Sequence, residues 1–407
     1  MPRTESRAPR MPPRLVVLLA AALAACVAGC VRQADEPGVE PAARPTELVI
    51  LFLGDVSFGE EYLGPLTAIT GSNPLEKHGY GYPFENFRGL LASADHVVAN
   101  LEAPVTAVGS SPFKSVKKWV NRERPGRAPG ALARAGIDAV SLGNNHALDY
   151  GPEGLLETFG HLEAHGIAAF GAGRDEESAA APHLAEFPLG DGRFRLAVVG
   201  GFEVFEWYDK RLSWYARGGK AGVRSLDHRS AAAAVEAVGS RAPDSFVVAF
   251  PHWGLDWKWR TTSELAIAHA LVRGGADLVI GHGAHRLQEV ESVRGTPVVF
   301  GLGDFVFNSY GGEWVFRAQG YSLIAALRVR ARPGGGRAIS LRLYPIVTDS
   351  LRTGFRPRFV TAEEFEAVLA MLKARPRSAV AGGAARLGED RFGRWIELPL
   401  ATEERAE

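Results

Sequence analysis

Cysteine is almost missing from this chain. Its 407 residues hold two, Cys26 and Cys30, both within the first 30. The remainder therefore has no disulfide framework and no thiolate metal site. Any metal must be held by His, Asp, Glu or Asn. Net charge is missing too, because 46 Lys and Arg balance 46 Asp and Glu. A basic excess is the electrostatic footprint of nucleic-acid binding, so no nucleic-acid partner is expected. Internal repeats and coiled-coil heptads are absent. The composition, 46% hydrophobic and 23% charged, is that of a folded globular protein. The length allows roughly two to three domains of ~150 residues, but a large sandwich can hold most of it as one.

A membrane-spanning run is also lacking. The apolar stretch at 15–25 falls short of the ~20 residues that cross a bilayer. It follows Arg3, Arg7, Arg10 and Arg14 and matches the central region of a secretory signal. Leu23-Ala24-Ala25-Cys26 and Val27-Ala28-Gly29-Cys30 both resemble the bacterial lipobox, whose cysteine is lipidated after cleavage. Cys30 is the preferred site, since cleavage there leaves no free thiol; Cys26, or a plain cleaved signal, are the alternatives. Residues 31–46 are polar and proline-rich and read as a flexible tether. The expected organisation is a signal peptide at 1–30, a tether at 31–46 and a folded body at 47–350. A C-terminal helical appendage and tail are expected at 351–407. The expected location is extracytoplasmic, on a membrane through the lipid anchor.

Within the body, strands are predicted at 48–53, 96–99, 139–142, 167–170, 194–199, 246–250, 278–280 and 298–300. Helices are predicted at 86–94, 128–135, 152–165, 263–273 and 362–373, with Pro152 at a first helical turn. Strands at 323–329 and 339–343 are expected to pair. The alternation indicates a layered α/β body. Five strands end in polar clusters: Asp55, Asn100 with Glu102, Asn145 with His146, His252, and His282 with His285. Strands of a common sheet deliver such ends to one edge, where α/β ligands bind. Carboxylate, amide and imidazole donors together suit one or two divalent ions, with Mn, Fe, Zn and Mg all compatible.

The segments Tyr82-Pro83-Phe84, Ala99-Asn100-Leu101-Glu102-Ala103-Pro104, Gly143-Asn144-Asn145-His146-Ala147-Leu148-Asp149-Tyr150-Gly151, His252-Trp253-Gly254, Gly281-His282 with His285, and Gly301-Leu302-Gly303 resemble the CapA family of poly-γ-glutamate capsule proteins. The match runs from about residue 48 to about residue 310. That family is similar to the calcineurin-like metallophosphatases. The resemblance implies a four-layer α-β-β-α sandwich of metallophosphatase type with a two-metal centre. It assigns metal ligation to Asp55, Glu102, Asn145, His252, His282 and His285, with Glu102 in the bridging position. It assigns catalysis to His146. Ser57 stands where the metallophosphatases carry a histidine, and Asp304 where the family usually has asparagine. The activity implied is metal-dependent hydrolysis of a capsule polymer or a phosphoester. The alternative is a non-catalytic protein that binds or escorts the polymer, within a capsule-synthesis complex.

Three further features accompany these. Asp149 either orients the His146 loop or caps the next helix, or is itself catalytic beside His146. His161 and His165 have the i, i+4 spacing of a helical metal pair but lie beside the stripe of Leu155, Phe159 and Leu162, and read as solvated. Trp207, Tyr208, Trp214 and Tyr215 form either a polymer groove or a packed insertion.

Overall fold

The run at 48–53 has no polar residue to mark a solvent face, so it must be covered on both sides. It forms the middle of the strand Glu47–Ser57. Leu48, Ile50 and Phe52 enter one apolar cluster, and Leu51 and Leu53 another, as the two-residue period of a strand requires. This is a computed structural model, and it describes residues 45–60, 67–68, 71–307, 320–381, 383 and 385–400. Cys26, Cys30, the leader and nearly all of the tether lie outside the described residues.

Glu47–Ser57 sits inside a ten-stranded mixed sheet. On one side it runs parallel to His96–Leu101, followed by Ala139–Ser141 and Ala168–Phe170, all parallel. On the other it pairs antiparallel with Tyr321–Ala331, which pairs antiparallel with Arg337–Val347. A seven-stranded sheet has the spatial order His183–Leu189, Gly192–Glu203, Phe246–His252, Leu278–Ile280, Thr296–Val299, Val290–Val293, and its seventh strand, Ser225–Leu226, pairs off this path with Gly192–Glu203. Its three central pairings are parallel. The protein is thus α/β, with parallel and antiparallel ladders in both sheets.

Apolar side chains from both sheets meet in one cluster, Ile50, Phe52 and Leu341 with Val198, Val248 and Phe250. On the far side of the second sheet, Val235 of the helix Ala231–Arg241 and Leu271 of the helix Thr262–Arg273 cover Val199 and Val279. On the far side of the first, Leu132 of Ala128–Arg134 and Leu155 of Gly151–Glu163 cover Val97 and Leu101. Among the described residues no helix is long and apolar enough to cross a membrane.

Two local expectations are corrected. The helix expected at 86–94 is a 3₁₀ turn, Tyr82–Phe87, continued by a short helix, Arg88–Leu91. Beyond 350 the helix Ala362–Lys373 does form, closed at its start by reciprocal bonds between Thr361 and Glu364. The residues after this helix are not a tail but a pair of strands. Arg394–Pro399 pairs with Arg337–Val347, and Arg386–Glu389 pairs with Arg394–Pro399. Ile396 and Leu398 reach the cluster between the sheets, and Arg44–Glu407 forms one compact unit. The strand was hidden because it is short and follows a helix across a stretch with no periodic pattern.

Candidate metal centre

Gly54 sets the geometry of the first strand's end. A β-carbon there would lie 1.8 Å from the carbonyl oxygen of Gly303, so only glycine lets the two backbones meet. The Asp55 amide donates to that same carbonyl at 3.0 Å. Asp55 is fully buried. Its Oδ1 accepts from Asn100 Nδ2 at 2.8 Å and lies 3.1 Å from His282 Nδ1; its Oδ2 accepts from the Gly283 amide at 3.0 Å. Asp304 is its register neighbour on the strand Asp304–Phe307.

Glu102 follows the strand His96–Leu101, and its amide donates to the Val56 carbonyl at 2.9 Å. His252 ends the strand Phe246–His252, and a backbone bridge joins it to His282. Gly283, at φ +105°, lies against the His252 ring, where a β-carbon would come within 2.9 Å of Nε2. His285 has a left-handed backbone, φ +55°, a conformation a non-glycine residue holds only when its surroundings impose it. Its ring is held by Asp304, whose Oδ1 lies 2.8 Å from His285 Nδ1.

Residues more than 200 positions apart thus meet, in two groups. Asp55, His252 and His282 form one; Asp55, Glu102 and His285 form the other. Within each group the donor atoms lie within 4.8 Å of one another. The resemblance put Glu102 in the bridging place, yet Asp55 is the residue common to both groups. Glu102 Oε1 stands 3.8 Å from His252 Nε2 and 3.7 Å from His285 Nε2. Both Glu102 oxygens, His282 Nε2 and Asn145 Oδ1 are buried with no hydrogen-bond partner. Buried polar atoms are rarely left so. Lone pairs of oxygen and imidazole nitrogen without a donor facing them fit a divalent cation.

The proton equilibria follow from burial and crowding. Burial, and then the charge of Asp55, push the Glu102 carboxyl well above the usual range. Burial also pushes Asp55 upward, but bonding to His282 and the charges of the neighbouring imidazoles outweigh it and hold its carboxyl well down. Burial drives His252 well below the ordinary imidazole value. For His285 burial acts downward, but Glu102 and Asp304 prevail and hold it well above.

His146 lies beside these groups, Nε2 at 4.0 Å from Glu102 Oε1. Its Nδ1 is 2.5 Å from Asp149 Oδ2. Two acceptors cannot approach so closely without a proton between them; in a neutral imidazole with that proton on Nδ1, Nε2 is bare, and Lys117 Nζ lies 3.2 Å from Nδ1. Asp149 does not cap the helix Gly151–Glu163, whose start has no side-chain cap. It orients His146. Its Oδ2 also accepts from the Asn121 amide at 2.6 Å, and its Oδ1 accepts from Lys117 Nζ. Lys117 is buried, donates to the Asn145 carbonyl at 2.5 Å and lies 4.8 Å from the Trp214 ring centre. Burial, and then Lys117, keep His146 below the ordinary imidazole value.

Sequence reasoning missed Lys117. It sits in a loop with no periodicity, and only the fold brings it under Asp149. Asn144 was read only as part of a motif; its Nδ2 binds Asn100 Oδ1 at 3.0 Å and the Leu101 carbonyl at 2.8 Å, and its Oδ1 accepts the His146 amide. Ser57 has another task from that of the histidine it replaces, donating to Glu123 Oε1 at 2.9 Å. His161 is half-buried and His165 exposed. In the aromatic insertion Trp214 and Tyr215 are buried, Trp214 donating to the Asn144 carbonyl, while Trp207 is exposed.

Comparison with known proteins agrees with the motifs. The family described as "Bacterial capsule synthesis protein PGA_cap" matches residues 49–309. A probable polyglutamine synthesis accessory protein of Mycobacterium tuberculosis is 31% identical over 344 residues, covering 76% of this chain and 87% of that protein. The PGA biosynthesis protein CapA of Bacillus subtilis is 24% identical over 263 residues, 63% of this chain and 62% of its own length. The capsule biosynthesis protein CapA of Bacillus anthracis is 23% identical over 272 residues, 64% and 60% respectively.

Proposed function

The chain belongs to the PGA_cap family of bacterial capsule synthesis proteins, and from that premise we propose that it is a divalent-metal-dependent hydrolase acting on a capsule polymer such as poly-γ-glutamate, or on a phosphoester. The observation that carries this is the two groups of buried ligand-type side chains that share Asp55, with unpartnered atoms on Glu102 and His282 among them; Asn145 Oδ1 is likewise buried and unpartnered. Asp55, His252 and His282 would hold one ion, and Asp55, Glu102 and His285 another. A four-layer α-β-β-α sandwich of metallophosphatase type is the fold this reading takes. A divalent ion held there supplies Lewis acidity toward the bond to be broken. The chain supplies the proton handling. Neutral His146, its Nδ1 proton held by Asp149, offers Nε2 to take a proton and pass it to the leaving group. Lys117 balances the Asp149 charge and keeps the imidazole neutral.

The leader and the Val27-Ala28-Gly29-Cys30 motif support extracytoplasmic anchoring through a lipid on Cys30. Cys30→Ala then releases the protein to the soluble fraction; release by Cys26→Ala alone moves the site to Cys26.

One observation favours a second reading. Ser57, bonded to Glu123, replaces a histidine ligand of the metallophosphatases, which suits a polymer-binding or escort protein within a synthesis complex. Elemental analysis of single alanine variants, followed by phosphodiester and γ-glutamyl substrate screens, separates the two. Loss of metal from Glu102→Ala and His252→Ala, with turnover by the wild type, supports the hydrolase. Wild-type metal content in both variants ends it.

A further inference from the structure

Seven large apolar side chains are exposed among the described residues, and four of them are Val116, Trp119, Trp207 and Leu255. They sit on three segments, 107–127, 204–221 with its short helix Glu206–Lys210, and 253–261. Each segment also sends a neighbouring side chain inward to the metal centre. Lys117 reaches Asp149 and the Asn145 carbonyl. Tyr208 packs against Trp214, which binds the Asn144 carbonyl. The Trp257 amide bonds the Ala284 carbonyl, and its ring lies 5.7 Å from His285. The outward residues of these segments therefore form a rim about the metal centre.

The rim has a charge that the chain as a whole lacks. The three segments hold 12 Lys and Arg against four Asp and Glu; with Lys117, Arg124 and Arg260 set aside, which pair with Asp149, Glu60 and Glu291 elsewhere, nine remain against four, in a chain whose totals cancel. Lys114, Lys118, Lys210 and Lys258 are exposed there. A dissolved polyanion is gripped by cations alone and gives no reason to bare Val116 and Leu255 to water. Aromatic and aliphatic side chains interleaved with lysines fit a surface that is apolar and anionic at once.

We propose that this rim docks on an anionic phospholipid surface. The metal centre would then face the headgroup region and act on substrate held at the bilayer. Docking is independent of hydrolysis and does not rest on it.

The test is flotation of the full-length chain with vesicles of phosphatidylcholine, with and without phosphatidylglycerol. The N-terminal segment is common to every variant, so differences between variants report the rim. A cation near an anionic surface contributes about fivefold in partitioning, so Lys114→Gln with Lys118→Gln lowers binding to the anionic vesicles more than tenfold. Trp119→Ser with Trp207→Ser weakens binding as well, while Leu184→Ser, exposed on the strand His183–Leu189, leaves it unchanged. Asp55→Asn loses metal and keeps docking, so failure of the hydrolase reading and failure of docking are distinguishable. The proposal is overturned if the rim variants float like the wild type. It is also overturned if vesicles are ignored while soluble poly-glutamate is retained through the same lysines, since the rim is then a polymer surface.

Discussion

Glu102→Gln should raise the stability of the metal-free protein and abolish its stabilisation by metal. Glu102 is buried, and neither of its oxygens has a hydrogen-bond partner. The imidazole nitrogens around it, at 3.7, 3.8 and 4.0 Å, lie beyond bonding distance. Its folded-state carboxyl titrates well above the ordinary value because burial and Asp55 oppose its charge. A folded value above the unfolded one means that the native state binds more protons, so stability falls as pH rises from the ordinary carboxyl range. At neutral pH in chelator the wild type therefore carries a penalty that the neutral amide does not. Leaving a buried polar group unsatisfied costs about 1–3 kcal/mol, and more when it is charged. At ~2.1 cal/mol/K of unfolding entropy per residue, a body of this size gains about 3 °C for 2 kcal/mol. Metal reverses the order. At 100 times its dissociation constant an ion adds about 2.7 kcal/mol to a protein that binds it, and the variant has lost one of the donors. Scanning calorimetry in chelator and in Mn²⁺ or Zn²⁺, at acid and neutral pH, reads both effects. The variant should melt above the wild type in chelator and below it in metal, and the chelator difference should shrink on acidification. A variant that melts lower under both conditions refutes the reasoning, because Glu102 would then have a structural partner rather than an absent cation.

Two further predictions concern buried charge. Lys117→Met leaves Asp149 buried with the Asn121 amide and His146 and no cation, and should cost about 3–5 kcal/mol in urea unfolding; adding Asp149→Asn should recover much of it, and a cost below 1 kcal/mol would mean that the pair is not needed. Burial pushes Glu264, in the first turn of Thr262–Arg273, up to about 7. Its stabilising contribution is therefore complete below the ordinary carboxyl value and lost as pH rises toward 7, about 3 kcal/mol in all. Glu264→Gln, which can still cap the helix, should flatten that part of the stability–pH curve; an unchanged slope rules this out.

How much of this was legible in the sequence depends on whether a residue acts through its position in a strand or through a distant partner. Asp55, Glu102, His252 and His282 each come after a short apolar run, and a strand end is a place that sequence can locate. Parallel strands bring Asp55 to Glu102 in one sheet and His252 to His282 in the other; the meeting of the two pairs comes from the packing of the sheets on each other, which no local pattern announces. Asp304 was legible only as a departure from a motif, though it holds the His285 ring. Lys117 was not legible, because nothing local distinguishes it from Lys114 or Lys118. Its role comes from Asp149, 32 residues later in the chain. The strand Arg394–Pro399 was missed for the related reason that only pairing with Arg337–Val347 makes its apolar residues a face.

Ser57 is where sequence and site bear on each other most sharply. Two residues after Asp55 the metallophosphatases place a histidine ligand, and its absence reads as a weakened first site. The structure supplies a different occupation of that position. Ser57 Oγ donates to Glu123 Oε1, and the Phe58 amide donates to the same oxygen at 2.8 Å. Glu123 is buried, and burial together with Glu60 pushes its carboxyl well up. The serine therefore belongs to a carboxylate that closes the base of the neighbouring loop, not to the ligand set. Ser57→Ala should then leave metal content unchanged and cost about 1–2 kcal/mol, the value of one hydrogen bond to a buried acid. Elemental analysis and denaturant unfolding of the same preparation read the two effects separately. If metal is lost along with the hydroxyl, Ser57 or the Glu123 it holds contributes to coordination, and the two groups built around Asp55 are an incomplete account of the centre.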